Sequence, residues 1–170
     1  TTVAVMRVKA IEPLPENRER SGDVEVIQLD LEKANIRTQL VETVVQEAEG
    51  IKLEDASVIV GGGRGLGGPE PFSQLEELAK VFNGAVGASR AVCDAGWLDH
   101  AYQIGLTGKT VTPDLYIMIG ISGASQHMAG CSASKNIVAI NKDGDANIFK
   151  EARYGVIGDW EKVLPSFTST

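Results

Sequence analysis

The sequence predicts an α/β domain built on an open, doubly wound parallel sheet, preceded by a small antiparallel β remnant. Three observations lead there. From residue 57 onward, short and wholly apolar runs recur, which is the composition of strands buried on both faces. Helical periodicity or glycine-rich turns separate these runs. Polar residues gather directly after them, at the edge where an open parallel sheet binds its ligands.

In chain order, residues 2–9 alternate well enough for a strand, and a charged, proline-bearing loop follows at residues 12–22. Residues 24–31 form a second strand that pairs antiparallel with the first. A helix over residues 36–48 has Ile36, Leu40, Val44 and Ala48 at helical spacing. The parallel part begins with a buried strand at 57–61 and a glycine-rich loop at 61–68. A helix over 71–82 follows, with Phe72, Leu75, Leu78, Ala79 and Phe82 on one face. Further strands are expected at 84–88, 115–119, 137–141 and 154–159. A helix runs from Ser122 to Gly130, and another closes the chain over 160–167. The boundary falls near residue 46: residues 1–45 read as the remnant of an amino-terminal domain, and 46–170 as the ligand-binding domain. A strand signal at the very start of the chain marks it as an excised piece of a longer protein.

Composition narrows the function classes. A net charge of −7 disfavours a nucleic-acid partner, which requires a surplus of Lys and Arg. No apolar run approaches the ~20 residues that span a bilayer, so no membrane insertion is expected. Cys93 and Cys131 lie in no metal-ligand or CxxC spacing and read as reduced core thiols of an intracellular protein. With two histidines, a metal centre is not expected.

The strand ends carry the chemistry. Arg64 follows the first buried strand, Ser89 and Arg90 the second, Ser122 to His127 the third, Asn141 the fourth and Asp159 the fifth. Each also has a plainer reading. The glycine-rich loop matches neither the GxGxxG register nor a phosphate loop closed by Gly-Lys-Ser/Thr, and alone it is equally a turn. Arg64 and Arg90 are surface cations or bidentate donors to phosphate or an anionic ring. Ser122 is a helix N-cap or the edge of an anion-binding helix start. His127 alone is more often a packed bystander. Asn141 and Asp159 serve equally as turn and cap residues, and His100 is assigned no role.

Taken together, the motifs VGGGRGL (60–66), AVGASR (85–90), QIGLTGK (103–109), PDLY (113–116), GISGASQH (120–127) and IVAINKD (137–143) resemble, in that order, the carboxy-terminal half of electron transfer flavoprotein alpha subunits, including the FixB-type proteins. The resemblance covers residues 46–167, and the 120–130 block is its most specific part. Residues 1–45 resemble the end of that family's amino-terminal domain.

The resemblance implies a Rossmann-like sheet of the deoxyhypusine synthase-like NAD/FAD-binding type, with FAD as cofactor. It implies Arg64, Ser89 and Arg90 around the flavin and its phosphates. Gln103, Ile104, Gly105, Leu106 and Thr107 would pass along the ring, with the Thr107 hydroxyl near N5. Ser122, Gly123, Ala124, Ser125, Gln126 and His127 would wrap the pyrophosphate, with His127 near the C2 carbonyl. Asn141, Asp159 and Trp160 would lie along the adenosine part. Leu106 departs from the family, which often has Gln there, so no side-chain hydrogen bond is carried over at that position.

The implied role is an electron carrier, not a substrate-transforming enzyme. It would pair with a beta subunit, accept electrons from flavoprotein dehydrogenases such as acyl-CoA dehydrogenases in fatty acid beta-oxidation, and pass them to a quinone reductase or similar acceptor. The cytoplasm is the expected compartment, or the mitochondrial matrix in a eukaryote. The rival reading is an NAD-binding oxidoreductase on the same sheet.

Overall fold

The computed structural model describes residues 14–23, 25–28, 38, 41–42 and 51–168. The expected first strand and most of the 36–48 helix lie outside the described residues. So does most of the second strand; its described part, 25–28, is irregular, and the antiparallel pair is not shown. The charged loop is irregular over 14–23.

From residue 58 onward the expected sheet is present. Its strands are β1 (Val58–Gly62), β2 (Ala85–Ala88), β3 (Leu115–Ile119), β4 (Ile137–Asn141) and β5 (Tyr154–Ile157). All four pairings are parallel, in the order β2-β1-β3-β4-β5. The helices are α1 (Phe72–Val81), α2 (Arg90–Asp94), α3 (Ser125–Met128), α4 (Ile148–Glu151), α5 (Trp160–Val163) and α6 (Pro165–Thr168).

Side chains alternate along each strand, and the alternation builds two cores. Ile59, Tyr116, Met118, Ile137 and Ala139 face one side, where Ile104, Val111, Met128 and Ile148 cover them. Val60, Ile117, Ile119 and Ile140 face the other, under Phe72, Leu75 and Leu78 of α1, Val92 of α2 and Leu164. Helices on both faces make the fold doubly wound, as expected. Cys93 and Cys131 belong to opposite cores and are both free, which rules out a bond between them.

α1 shows how local sequence sets an element. Its buried residues Phe72, Leu75, Leu78 and Ala79 form one stripe, each large side chain contributing roughly 1.5–3 kcal/mol by burial. The helix stops where Asn83 turns left-handed at φ 49°, with Gly84 N–H donating to the Ala79 carbonyl at 2.8 Å and Asn83 N–H to Lys80 at 3.1 Å. Two differences from expectation stand out at other helices. The single closing helix is two, α5 and α6, because Pro165 has no N–H to continue the ladder. The helix after β3 starts at Ser125 and not at Ser122, because the chain first turns through Gly123 at φ 79°.

Because β1 lies between β2 and β3, the chain leaves it toward one side of the sheet and later returns to the other. The helices that follow β1 and β3 therefore pack on opposite faces, α1 in one core and Met128 of α3 in the other, and this switch point at the carboxyl edge is where such sheets bind their ligands.

Candidate functional site

A cleft of about 990 Å³ runs along that edge, from the end of β2 to the end of β4. Its walls are Arg64 and Gly65 after β1, Ser89 and Arg90 after β2, the loop Gln103 to Thr107, residues of the β3 turn, and Asn141 with the loop beyond it.

The glycines after β1 are explained by packing. Gly63 N–H donates to Ile119 O at 2.9 Å, and Gly65 N–H to Gly120 O at 3.0 Å. A Cβ on Gly63 would overlap the Gly120 carbonyl, and one on Gly65 would come within 2.8 Å of the same oxygen. Gly120 is itself left-handed, at φ 64°. Backbone lies on backbone, so the two loops are locked together and the crevice has a fixed floor. The glycine-rich segment is thus a rigid joint, not a free turn.

The 103–107 loop is anchored at the β2 end. Ile104 N–H donates to Ala88 O at 2.9 Å, continuing the sheet past β2, and Leu106 N–H donates to Gln126 O at 2.7 Å. Gly105 packs its backbone against Gly130. Lys109 holds both Glu54 carboxylate oxygens, at 3.0 and 3.1 Å. Burial alone would raise the Glu54 pKa, but the Lys109 hydrogen bond and charge outweigh it and leave it lowered.

Within this loop the Gln103 side chain is 4% exposed and fully engaged. Its Oε1 lies 2.9 Å from His100 Nδ1, and its Nε2 donates to Thr107 Oγ1 at 3.0 Å. Thr107 therefore accepts from behind and keeps its own proton for a partner in the cleft. His100, given no role from sequence, orients the Gln103 amide. Leu106, at 53% exposed, presents an apolar edge beside Thr107.

Across from the loop is the β3 turn. Ser122, Ala124, Gln126 and His127 line the cleft. The backbone N–H groups of residues 122–126 find no acceptor among the described residues, whereas the Ser122 carbonyl is engaged by Ile148 N–H at 3.0 Å. His127 is 6% exposed, with Nε2 3.2 Å from the Tyr116 hydroxyl. Its Nδ1 is buried with no hydrogen-bond partner. Burial pushes the His127 pKa down to about 4; the Ile104 carbonyl opposes this without completing a bond to the ring. The imidazole is neutral at neutral pH.

Charge varies along the cleft. Arg64 and Arg90 stand at the β1 and β2 end, and Arg90 Nε pairs with Asp94 Oδ2 at 3.1 Å, its side chain 65% exposed. Asp143 and Asp145 stand at the β4 end. Sequence reasoning missed Asp94, although its spacing four residues after Arg90 was a signal once a helix there was considered. It also missed Asp143 and Asp145, whose loop is an Asx turn with Asp145 N–H donating to Asp143 Oδ1 at 3.0 Å.

Four expected contact residues stand apart from the main cleft. Gly123 and Ser125 border a separate shallow groove. The Gly123 Cβ direction runs into the backbone of α4, with Ile148 Cα 2.5 Å away. Asp159 and Trp160 line a smaller groove that shares Gly65, Gly120 and Asn141 with the cleft. Asp159 caps α5, accepting from Glu161 N–H at 3.2 Å. Asn141 reaches the cleft but is also a brace, donating to Ile121 O at 3.0 Å and accepting from Asp143 N–H at 3.0 Å.

A parallel doubly wound sheet with a cleft at its switch point, edged by unbonded backbone donors, is an arrangement suited to an extended, phosphate-bearing ligand. Residues 52–132 match the family model described as the electron transfer flavoprotein FAD-binding domain. The chain belongs to the electron transfer flavoprotein alpha subunit family. It is 52% identical over 165 residues to the electron transfer flavoprotein subunit alpha of Bacillus subtilis (strain 168), covering 97% of this chain and 50% of that one. To Protein FixB of Clostridium saccharobutylicum it is 48% identical over 142 residues, covering 84% and 42%. To the mitochondrial alpha subunit of Dictyostelium discoideum it is 47% identical over 147 residues, covering 86% and 41%. The chain thus spans about half the length of the curated relatives it matches, or somewhat less.

Proposed function

We propose that the cleft holds FAD and that the protein serves as an electron carrier, the α/β domain from residue 46 onward being the cofactor-binding unit. The observation that supports this most is the set of unbonded N–H groups at Ser122, Ala124 and Gln126, lining the same cleft as His127, whose buried Nδ1 has no hydrogen-bond partner. A group that bears phosphates and a ring rich in acceptors satisfies both. The charge gradient orients it. The diphosphate would lie over the β3 turn, the isoalloxazine toward Arg64, Ser89, Arg90 and Thr107, and the hydroxyl-rich ribose toward Asp143 and Asp145.

When bound, FAD takes up and releases electrons; the protein holds it and tunes it. Arg90 and the Thr107 proton favour negative charge on the ring. Leu106 keeps one edge apolar. Among the described residues, the cleft's one buried ionisable side chain is His127, neutral by virtue of its lowered pKa. A neutral donor suits a carrier better than an acid–base catalyst of substrate chemistry. Among the described residues no helix is long and apolar enough to cross a membrane. The partners proposed are a beta subunit, flavoprotein dehydrogenases as donors, and a quinone reductase or similar acceptor, in the cytoplasm or the mitochondrial matrix.

Titration with FAD and, separately, with NAD tests the reading: FAD should bind at one per chain and NAD should not compete, whereas NAD binding with no FAD uptake overturns it. In the flavin-loaded protein, Arg90→Ala should lower the reduction potential of the bound flavin. A full charge-assisted bond contributes ~1.5–3 kcal/mol. The exposure of Arg90 and its sharing with Asp94 reduce this, so the expected fall is about 20–60 mV, with 59 mV equal to a tenfold change in a one-electron couple. An unchanged potential would remove Arg90 from the flavin's surroundings.

A further inference from the structure

Tyr116, the second residue of β3, is fully buried, and His127 Nε2 is the hydrogen-bond partner of its hydroxyl at 3.2 Å. The space it occupies exists because residue 61 is glycine: a Cβ there would overlap the hydroxyl and sit 2.5 Å from the ring. Two arrangements of the neutral pair are open. If His127 Nε2–H donates to the tyrosine oxygen, the Tyr116 proton is left without an acceptor and Nδ1 without a donor, two unmet buried groups. If Tyr116 donates to Nε2, one incompletely bonded group remains, an Nδ1–H near the Ile104 carbonyl on a residue that lines the cleft, which a ligand acceptor can complete. Each unmet buried polar group is destabilising, so the second arrangement prevails.

We infer that Tyr116 is a positioning residue whose hydroxyl donates to His127 Nε2, fixing the neutral Nδ1–H tautomer so that His127 presents a donor to an acceptor oxygen of the bound cofactor. The cofactor clause rests on the reading above; the tautomer does not. Tyr116 touches no cofactor and acts through His127, and Gly61 acts one step further back.

Nitrogen NMR of the full chain labelled at histidine tests this directly. The sequence has two histidines, His100 and His127, and a His100→Gln variant assigns them. In the flavin-free wild type at neutral pH, His127 should show a protonated Nδ1 and an unprotonated Nε2. The reverse pattern overturns the inference with no variant needed. In Tyr116→Phe the ring should lose its fixed tautomer and give averaged shifts, and FAD affinity should fall roughly two- to tenfold, the loss expected when a single hydrogen bond is weakened. A variant that keeps the wild-type tautomer also overturns it, because a merely structural tyrosine would leave the ring nitrogens unmoved. Should Tyr116→Phe fail to fold, the wild-type spectrum decides alone. If wild type shows the Nδ1–H tautomer but takes up no FAD, the cofactor reading falls and the tautomer assignment stands.

Discussion

Lowering the pH from 6.5 to 4 should remove about 3 kcal/mol of folding stability through His127 alone. Its pKa falls from 6.5 to about 4 in the folded chain because burial disfavours the imidazolium. Between those values the unfolded chain binds a proton that the folded chain refuses. Stability is therefore full above pH 6.5, declines as the pH falls, and levels off below about 4. At 1.36 kcal/mol per unit, the shift corresponds to about 3 kcal/mol, and with the residue 6% exposed no large solvent discount applies. Urea unfolding across this range measures it. The histidine's share of the slope should vanish in His127→Gln, whatever that variant's stability at pH 7. Glu54 also loses its ion pair in acid, since its folded pKa is lowered, but that loss persists in the variant and so separates from the histidine. A slope that survives His127→Gln unchanged would contradict the placement of a neutral imidazole in the core.

Gly63→Ala should destabilise the chain by about 3 kcal/mol, at the upper end of the usual overpacking penalty. The added methyl would overlap the Gly120 carbonyl and lie 2.6 Å from its carbon and 2.7 Å from Ile121 Cα, all backbone with little freedom to yield. Gly67→Ala is the control. Its residue is left-handed at φ 88° with nothing within 4 Å, so it should cost about 1 kcal/mol of backbone strain only. Thermal or urea midpoints rank the two. If Gly63→Ala melted like the wild type and lost only cofactor binding, the glycine would serve the ligand and not the joint.

Much of the fold was legible because its signals are local. Each buried strand is an uninterrupted apolar run, and α1 has both its stripe and its left-handed stop at Asn83. The short helices α2 and α4 left no periodicity to detect, being little more than one turn each. The site was legible as a list of strand-end residues, but the roles within it depend on contacts between distant segments. Gly63 needs Gly120, Gln103 joins His100 to Thr107, and His127 meets Tyr116 across the core. No spacing in the chain encodes those meetings. They also explain why Gly123, which sequence logic aimed at a phosphate, packs its Cβ direction against Ile148, so that a valine there would disturb α4 before it reported on any ligand.

The most direct measurement of the central claim is amide hydrogen exchange of the chain with and without FAD. The N–H groups of residues 122–126 have no acceptor among the described residues, so they should exchange fast in the free chain. FAD should slow exchange at Ser122, Ala124 and Gln126 and at Thr107 on the facing loop, leaving Ser132 and Lys150 of the separate groove unaffected. Protection confined to Ser132 and Lys150, or none at Ser122, Ala124 and Gln126 under saturating FAD, would contradict the assignment of the carboxyl-edge cleft as the cofactor site.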